Sequence, residues 1–283
     1  MKTSPSLRLP QARRKNGFTL VEMLVSMTVL SLIMVVLSQL LNATVLATTT
    51  SQKQIEATRQ SRAVLDTMRQ DLASLVTENG ASTVFAKTDG LNSQLVFVTY
   101  RRGPQGMTAP RFTAISYTLD GAKMQISRNY SQIAWNATDL MTAALSPASS
   151  VSNVVSEGTL RFEVVLLLDN GSVVSLSDAG SWIDTTWNGD AVPNGFSALR
   201  LAGATIDASK PRVRALTVAV ASVDKGSLLL PNVGNIPTAL VSPASGKTPL
   251  EAWVSIIDQG GLANAPRPAV AALRVLQLTF PVQ

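Results

Sequence analysis

The most prominent pattern in the chain is a long apolar run near its N-terminus. No Asp, Glu, Lys or Arg occurs from Met23 to Gln52, and no Pro or Gly occurs from Phe18 to Asn79. About 20 apolar residues are enough for a helix to cross a bilayer. The pattern therefore predicts one long helix, with its membrane-spanning half at residues 18–47.

An amphipathic helix pattern continues beyond this run, which predicts that residues 48–79 form the second half of the same helix. Apolar residues fall near i, i+3, i+4 and i+7 spacing, at Ile55, Leu65, Met68, Leu72 and Leu75. Polar residues are expected on the other faces, at Glu56, Arg59, Arg62, Asp66, Arg69 and Asp71. Asn79-Gly80 is a typical helix stop. We expect the apolar stripe to pack on the protein's own sheet, and a coiled coil with another chain is the alternative.

Residues 80–223 show the shorter periodicity of β-strands. Two strand-like runs flank Asp120-Gly121 and two more flank Asp169-Asn170-Gly171, which predicts two hairpins. Further strands are predicted at 94–101 and 212–223. The fold class is therefore α+β, with a long N-terminal helix packed on an antiparallel β-sheet.

The C-terminal segment 224–283 combines a loop, a short helix and a final strand. Gly and Pro are frequent between residues 231 and 268. Thr248, Pro249 and Glu251 predict a helix start, with the threonine as N-cap and the glutamate completing a capping box. The last residues, AALRVLQLTFPV, are typical of a strand.

Charge is concentrated in the leader, residues 1–17. Of the 24 basic residues in the chain, five precede Gly17, and no acidic residue accompanies them. The remainder holds 19 basic and 18 acidic residues, so no basic face for nucleic acid is indicated. Basic residues before an apolar run keep the N-terminus in the cytoplasm and place the C-terminal side outside.

The chain contains no cysteine and no histidine. Disulfides, thiol catalysis, histidine bases and the usual zinc sites are excluded. The sequence SVDK, Ser222 to Lys225, formally matches the S-x-x-K motif of penicillin-binding proteins. We interpret that match as accidental, because Ser222 ends a predicted strand and Pro249 replaces the glycine of the K-T-G partner motif.

The remaining polar candidates do not form a recognisable catalytic or metal site. Asp178, Asp184 and Asp190 fit no calcium-loop spacing, and turn or surface roles are expected for them. The sequence therefore predicts no catalytic residue, no metal, no cofactor and no small-molecule substrate.

The junction between leader and apolar run, KNGFTLVEML, resembles the class III signal of type IV prepilins and type II secretion pseudopilins. The resemblance implies cleavage by prepilin peptidase after Gly17 and N-methylation of Phe18. The resemblance also covers Val21, and it implies processing or assembly roles for Thr19, Leu20 and Glu22. A secretory signal peptide cut near Ala47 is the alternative, but its h-region would be unusually long.

Glu22 is an acid at the edge of the membrane-spanning run. A carboxylate near hydrocarbon costs several kcal/mol and is expected to be paired. The resemblance implies that Glu22 neutralises the amino terminus of a neighbouring subunit. The alternative is a glutamate that only reaches to the membrane interface.

The body of the chain is similar to the minor pseudopilin J of type II secretion. The similarity rests on the helix pattern from Leu65 to Leu72, on YTLDGAKMQISR, and on the segment SWIDTTW with the strand after it. The ending at 224–283 resembles the prepilin-like Verru_Chthon cassette protein C group.

These resemblances imply a minor, non-enzymatic subunit of a type II secretion or type IV pilus-like filament. Its partners would be other pilins or pseudopilins, prepilin peptidase and the inner membrane. The implied location is single-pass in the inner membrane, with the C-terminal domain periplasmic, and in a pseudopilus or at the cell surface after assembly. The competing hypothesis is a membrane-anchored envelope enzyme or binding module with an uncleaved anchor.

Overall fold

The structure is a computed structural model in which the chain forms two compact units, Met1–Thr49 and Thr50–Gln283. It describes residues 18–76, 84–89, 92–100, 112–133, 140–146, 150–176, 183–184, 186–187, 190–192, 194, 196–199, 212–244 and 246–282. The helices are α1 Leu20–Leu72, α2 Leu140–Leu145, α3 Asn235–Ala239, α4 Pro249–Asp258 and α5 Arg267–Ala272, with a 3-10 turn at Lys225–Leu229. The strands are β1 Val84–Asp89, β2 Asn92–Tyr100, β3 Phe112–Asp120, β4 Gln125–Ile133, β5 Val151–Glu157, β6 Thr159–Leu168, β7 Val173–Ser175, β8 Ile183–Asp184, β9 Thr186–Trp187, β10 Asp190–Ala191, β11 Ser197–Leu199, β12 Val213–Ser222 and β13 Arg274–Pro281.

The first unit contains the apolar part of α1, whose large side chains are exposed. By length and composition, α1 is able to cross a membrane. Its hydroxyl groups donate to carbonyls of the preceding turn, as Ser26 does to the Glu22 oxygen at 2.7 Å and Thr44 to the Leu40 oxygen at 2.8 Å. These bonds satisfy the hydroxyls without water, as hydrocarbon requires.

The second unit contains two main antiparallel sheets. The larger has the strand order β5-β4-β3-β2-β1-β11-β8, and the smaller has the order β13-β12-β6-β7. Both predicted hairpins are present: β3 turns into β4 after Asp120, and β6 turns into β7 after Leu168. The Asp120 carboxylate accepts from the Ala122 and Lys123 N–H groups at 3.0 and 3.1 Å, which fixes the first turn.

One face of α1 packs on these sheets, which confirms the predicted α+β arrangement. Its buried residues are Ala57, Ser61, Val64, Leu65, Met68 and Asp71. Val64 and Met68 share a core with Phe97 and Tyr117 of the larger sheet and Phe162 of the smaller one. Leu65 and Met68 of the predicted stripe pack on the protein itself, with Leu72 and Leu75 partly buried beside them, but against two sheets where the sequence suggested one. The expectation that Ile55 belongs to this packed stripe is wrong: it is 65% exposed, because the buried face of α1 begins only at Ala57.

Helix α1 ends at Leu72, before the expected stop at Asn79. Ser74 accepts from the Tyr100 N–H at 3.0 Å, and the Val76 N–H donates to the Val98 carbonyl at 3.1 Å. The chain leaves the helix early because pairing with β2 satisfies its backbone groups. Residues 79 and 80 lie outside the described residues.

The C-terminal segment covers the outer face of the smaller sheet and adds β13 to its edge. Strand β13 pairs with β12 from Ser222↔Arg274 to Ala215↔Pro281. The predicted capping box of α4 is confirmed: Glu251 N–H donates to Thr248 Oγ1 at 3.4 Å, and Thr248 N–H donates to Glu251 Oε2 at 3.0 Å. Helix α4 thereby holds Trp253 in a cluster with residues of α3, α5 and β12.

Candidate functional site

The predicted processing residues lie at the start of α1, where Thr19 and Glu22 form a second capping box. The Glu22 N–H donates to Thr19 Oγ1 at 3.2 Å, and the Thr19 N–H donates to Glu22 Oε2 at 3.3 Å. The Thr19 hydroxyl also lies 3.4 Å from the same carboxylate oxygen. The Glu22 carboxylate therefore satisfies one backbone donor at the helix start, the Thr19 N–H, and lies at the positive end of the helix dipole.

The same residues are accessible. Phe18 is 76% exposed and Leu20 is 82% exposed, and Thr19 and Glu22 are exposed as well. Gly17 lies outside the described residues. Residues 18–22 are therefore exposed at the start of the helix, and the Glu22 carboxylate is bonded to Thr19.

The bond between Glu22 and Thr19 lies within one chain, whereas the resemblance to prepilins implies a partner for Glu22 on another chain. The signal was available, because T-x-x-E before an apolar run is the signature of a capping box. Thr19 therefore has a local role: its N–H and hydroxyl orient the Glu22 carboxylate.

A buried ionic cluster joins the end of α1 to the larger sheet. Arg128 Nε and Nη2 donate to Asp71 Oδ2 and Oδ1 at 2.6 and 2.9 Å, and the Tyr117 hydroxyl donates to Oδ2 at 2.6 Å. Burial raises the pKa of Tyr117 above its ordinary value, and the Asp71 carboxylate raises it further. Tyr117 consequently stays protonated and remains a donor.

The expectation that Asp71 lies on the polar face of α1 is wrong. Asp71 is fully buried, on the same face as Val64 and Met68. Its spacing of seven and three residues from these two could have placed it there. A charged residue on a buried face is expected only where it has partners. Those of Asp71, Tyr117 and Arg128, are distant in sequence, so the apolar spacing alone did not indicate its burial.

The S-x-x-K residues bind different partners. Ser222 is buried and accepts from the Ser61 hydroxyl at 3.0 Å, with the Thr159 hydroxyl 3.4 Å away. The Lys225 ammonium instead donates to the Glu157 carboxylate at 2.6 Å. The geometry is that of a buried hydroxyl cluster beside a surface ion pair.

No three Asp, Glu, His or Cys side chains come together as metal ligands within the part of the chain that the structure describes. The three candidate acids stay untested. Asp178 lies outside the described residues, and Asp184 and Asp190 are described only as backbone, in β8 and β10.

A comparison with protein families supports the resemblance seen at the start of α1. Residues 12–38 match the family model described as the prokaryotic N-terminal methylation motif. The chain therefore carries a prepilin-type N-terminal segment, and this prediction is confirmed. The match covers that segment alone.

Two further comparisons concern the whole chain. No curated protein matches it significantly. Among solved structures, it is similar to a type IV-like pilin, TTHA1219, from Thermus thermophilus, with 12% sequence identity and a TM-score of 0.38. The similarity covers 77% of this chain and 91% of that one.

Proposed function

We propose that this chain is a prepilin-like minor subunit of a type II secretion or type IV pilus-like filament. Prepilin peptidase cleaves it after Gly17 and N-methylates Phe18. The observation that carries the proposal is the methylation-motif match over residues 12–38, placed at the start of a helix able to cross a membrane. The J-like features of the body favour a minor, non-enzymatic subunit.

Before assembly, α1 anchors the protein in the inner membrane, with the leader in the cytoplasm and the second unit in the periplasm. The basic leader ahead of the apolar run supports this orientation. After processing, the subunit leaves the membrane and joins other pilins or pseudopilins, with Glu22 paired to the amino terminus of a neighbour.

The capping box supports this role for Glu22. Cleavage between Gly17 and Phe18 leaves the Thr19 N–H and hydroxyl intact, so the bonds that orient the carboxylate survive processing. A carboxylate oriented in this way at the helix start is prepared to accept a cation from an adjoining chain.

The mature N-terminus tests the proposal directly. Mass spectrometry of protein purified from cells with an active prepilin peptidase should find N-methylated Phe18 as the first residue. A chain that still begins at Met1 would favour a plain anchor, and a chain that begins near Thr48 would favour a secreted protein. Either result would refute the proposal.

Replacing Glu22 by Gln tests its charge separately from its capping role, because glutamine also completes a capping box. We expect Glu22→Gln to insert into the membrane normally and to lose co-purification with other filament subunits. Glu56→Gln, on the same helix, is the matched control and should co-purify as wild type does. Equal co-purification of the Glu22 variant would contradict the assigned role.

A further inference from the structure

The face of α1 that points away from the sheets in the second unit carries a regular row of exposed residues. Ile55, Arg59, Arg62, Asp66 and Arg69 are exposed and follow one another at spacings of four and three residues. Residues at these spacings lie on one face of a helix, so the five side chains form a continuous row that another helix could contact. We call these five residues the arginine seam.

The arginines of the seam have no ion-pair partner among the described residues. None of the salt bridges found there involves Arg59, Arg62 or Arg69. A groove of about 740 Å³ runs along the seam and carries a further arginine. It is lined by Ser51, Gln54, Ile55, Thr58, Arg59, Arg62, Ala63, Asp66 and Arg274.

We propose that the arginine seam and its groove bind an acidic α-helical segment of a different filament subunit. This rests on the proposed function, which supplies neighbouring helices. The partner helix carries carboxylates opposite Arg59, Arg62 and Arg69, a basic residue opposite Asp66, and an apolar residue against Ile55. Charges at such positions specify which helices pair and in which register.

A second copy of this chain does not fit the seam. Identical seams in register would place arginine against arginine at three positions, and like charges in contact are unfavourable. Five of the described carboxylates outside α1 are already engaged within the chain and are therefore less available to a second copy: Asp120, Glu157, Glu163, Asp224 and Glu251.

An anionic lipid surface also fits poorly. Asp66 lies between Arg62 and Arg69, so a uniformly negative surface would be repelled at that position. Ile55 is 65% exposed, and polar lipid headgroups would not bury its side chain. A protein helix can match both signs and the apolar residue, whereas lipid headgroups cannot.

The test uses the full chain in its native membranes. The double variant Arg59→Glu, Arg62→Glu reverses the charge at two positions of the seam. Arg214→Glu is the control, because Arg214 is exposed near the start of β12. Arg274 of the groove pairs with Ser222, at the other end of that strand. We expect recovery of partner subunits to fall about tenfold in the double variant only. Thermal unfolding should stay within about 2 °C of wild type, since the changed residues are exposed.

A photo-crosslinking benzoylphenylalanine at Thr58 identifies the occupant. We expect a crosslink to an acidic helical peptide of another chain that has a prepilin-type N-terminus. Crosslinks to a second copy, to lipid, or to nothing would overturn the inference, as would unchanged recovery of partners in the double variant. If Phe18 is N-methylated and partners co-purify in these cases, the proposed function stands and only the seam assignment fails.

Discussion

At the scale of single residues, two buried ion pairs differ in how well they are satisfied. Asp71 receives three donors from Arg128 and Tyr117. Arg161 and Glu163 are each about 1% exposed, yet Nε and Nη1 of the arginine and Oε1 of the glutamate have no partner in the described structure. The first pair has the hydrogen bonds that offset desolvation, and the second does not.

Asp71→Asn should lower the free energy of unfolding by about 3 kcal/mol, because Arg128 is left without its countercharge in a mostly buried position. Urea denaturation of the full chain in detergent measures the change. Asp66→Asn, on the exposed face of the same helix, should stay within about 0.5 kcal/mol of wild type. Equal effects of the two variants would contradict the assigned role of Asp71.

The Arg161–Glu163 pair should respond to pH. Burial raises the pKa of Glu163 above its ordinary value of 4.5, although Arg161 and Ser242 act in the opposite direction. The folded state therefore holds this proton more tightly than the unfolded state. The resulting stabilisation is complete below about pH 4.5 and is lost as pH rises through the higher folded pKa.

Arg161→Met should lower the free energy of unfolding at pH 7 by about 3 kcal/mol, because Glu163 becomes a buried, unpaired charge. The loss should shrink as the pH is lowered and Glu163 takes up a proton. The double variant Arg161→Met, Glu163→Leu removes both charges and should be as stable as wild type or about 2 kcal/mol more stable at pH 7. Denaturation curves measured at pH 7 and at a lower pH test both expectations. A loss of stability in the single variant that does not depend on pH would be inconsistent with this account.

At the scale of elements, the link between β5 and β6 depends on a single glycine. Gly158 has φ of +89°, and a Cβ built on it would lie 2.4 Å from the Val223 carbonyl oxygen. Its own carbonyl accepts from the Val223 N–H at 2.9 Å, and its N–H donates to the Met124 carbonyl at 2.9 Å. The close approach joins the end of the larger sheet to β12 of the smaller one.

Gly158→Ala should cost about 3 kcal/mol, from the left-handed backbone and from the clash with a backbone atom that cannot move aside. Gly171→Ala is the control: its φ is +83°, but nothing lies within 4 Å of its Cβ position. It should cost about 1 kcal/mol, for the backbone alone. Thermal or urea unfolding of both variants separates the two contributions, and similar losses would show that the contact with Val223 is unimportant.

At the scale of the whole molecule, the C-terminal segment is built into the smaller sheet on its edge and outer face and is not an appended module. β13 completes the smaller sheet, and Trp253 of α4 is fully buried against the outer face of that sheet. The Trp253 indole N–H donates to the Val241 carbonyl at 2.9 Å, so its polar atom is satisfied as well.

Trp253→Ala should lower the free energy of unfolding by about 4 kcal/mol, the usual cost of removing a buried tryptophan. Val254→Ala, on the exposed side of the same helix, should change it by about 0.5 kcal/mol. Circular dichroism and tryptophan fluorescence should report one coincident transition for wild type. Separate transitions would mean that the C-terminal segment unfolds independently of the sheets.

Much of the second unit was predictable because its signals are local. The hairpin turns at Asp120 and Asp169, the capping box of Thr248 and Glu251, and the strands at β2 and β12 depend on residues close together in sequence. The division into two sheets was not predictable, because β12 bonds with both β6 and β13, which come from distant parts of the chain. Strand patterns reveal which face is buried but not which strand is the neighbour.

The sequence by itself determined the apolar helix, the methylation motif around Gly17 and Phe18, and the T-x-x-E signature at the helix start, because each is written within a few consecutive residues. The tertiary structure alone decided which partners neutralise the buried Asp71, since Tyr117 and Arg128 lie 46 and 57 residues away. The burial of a charge depends on partners that only folding brings together, and no local pattern specifies them.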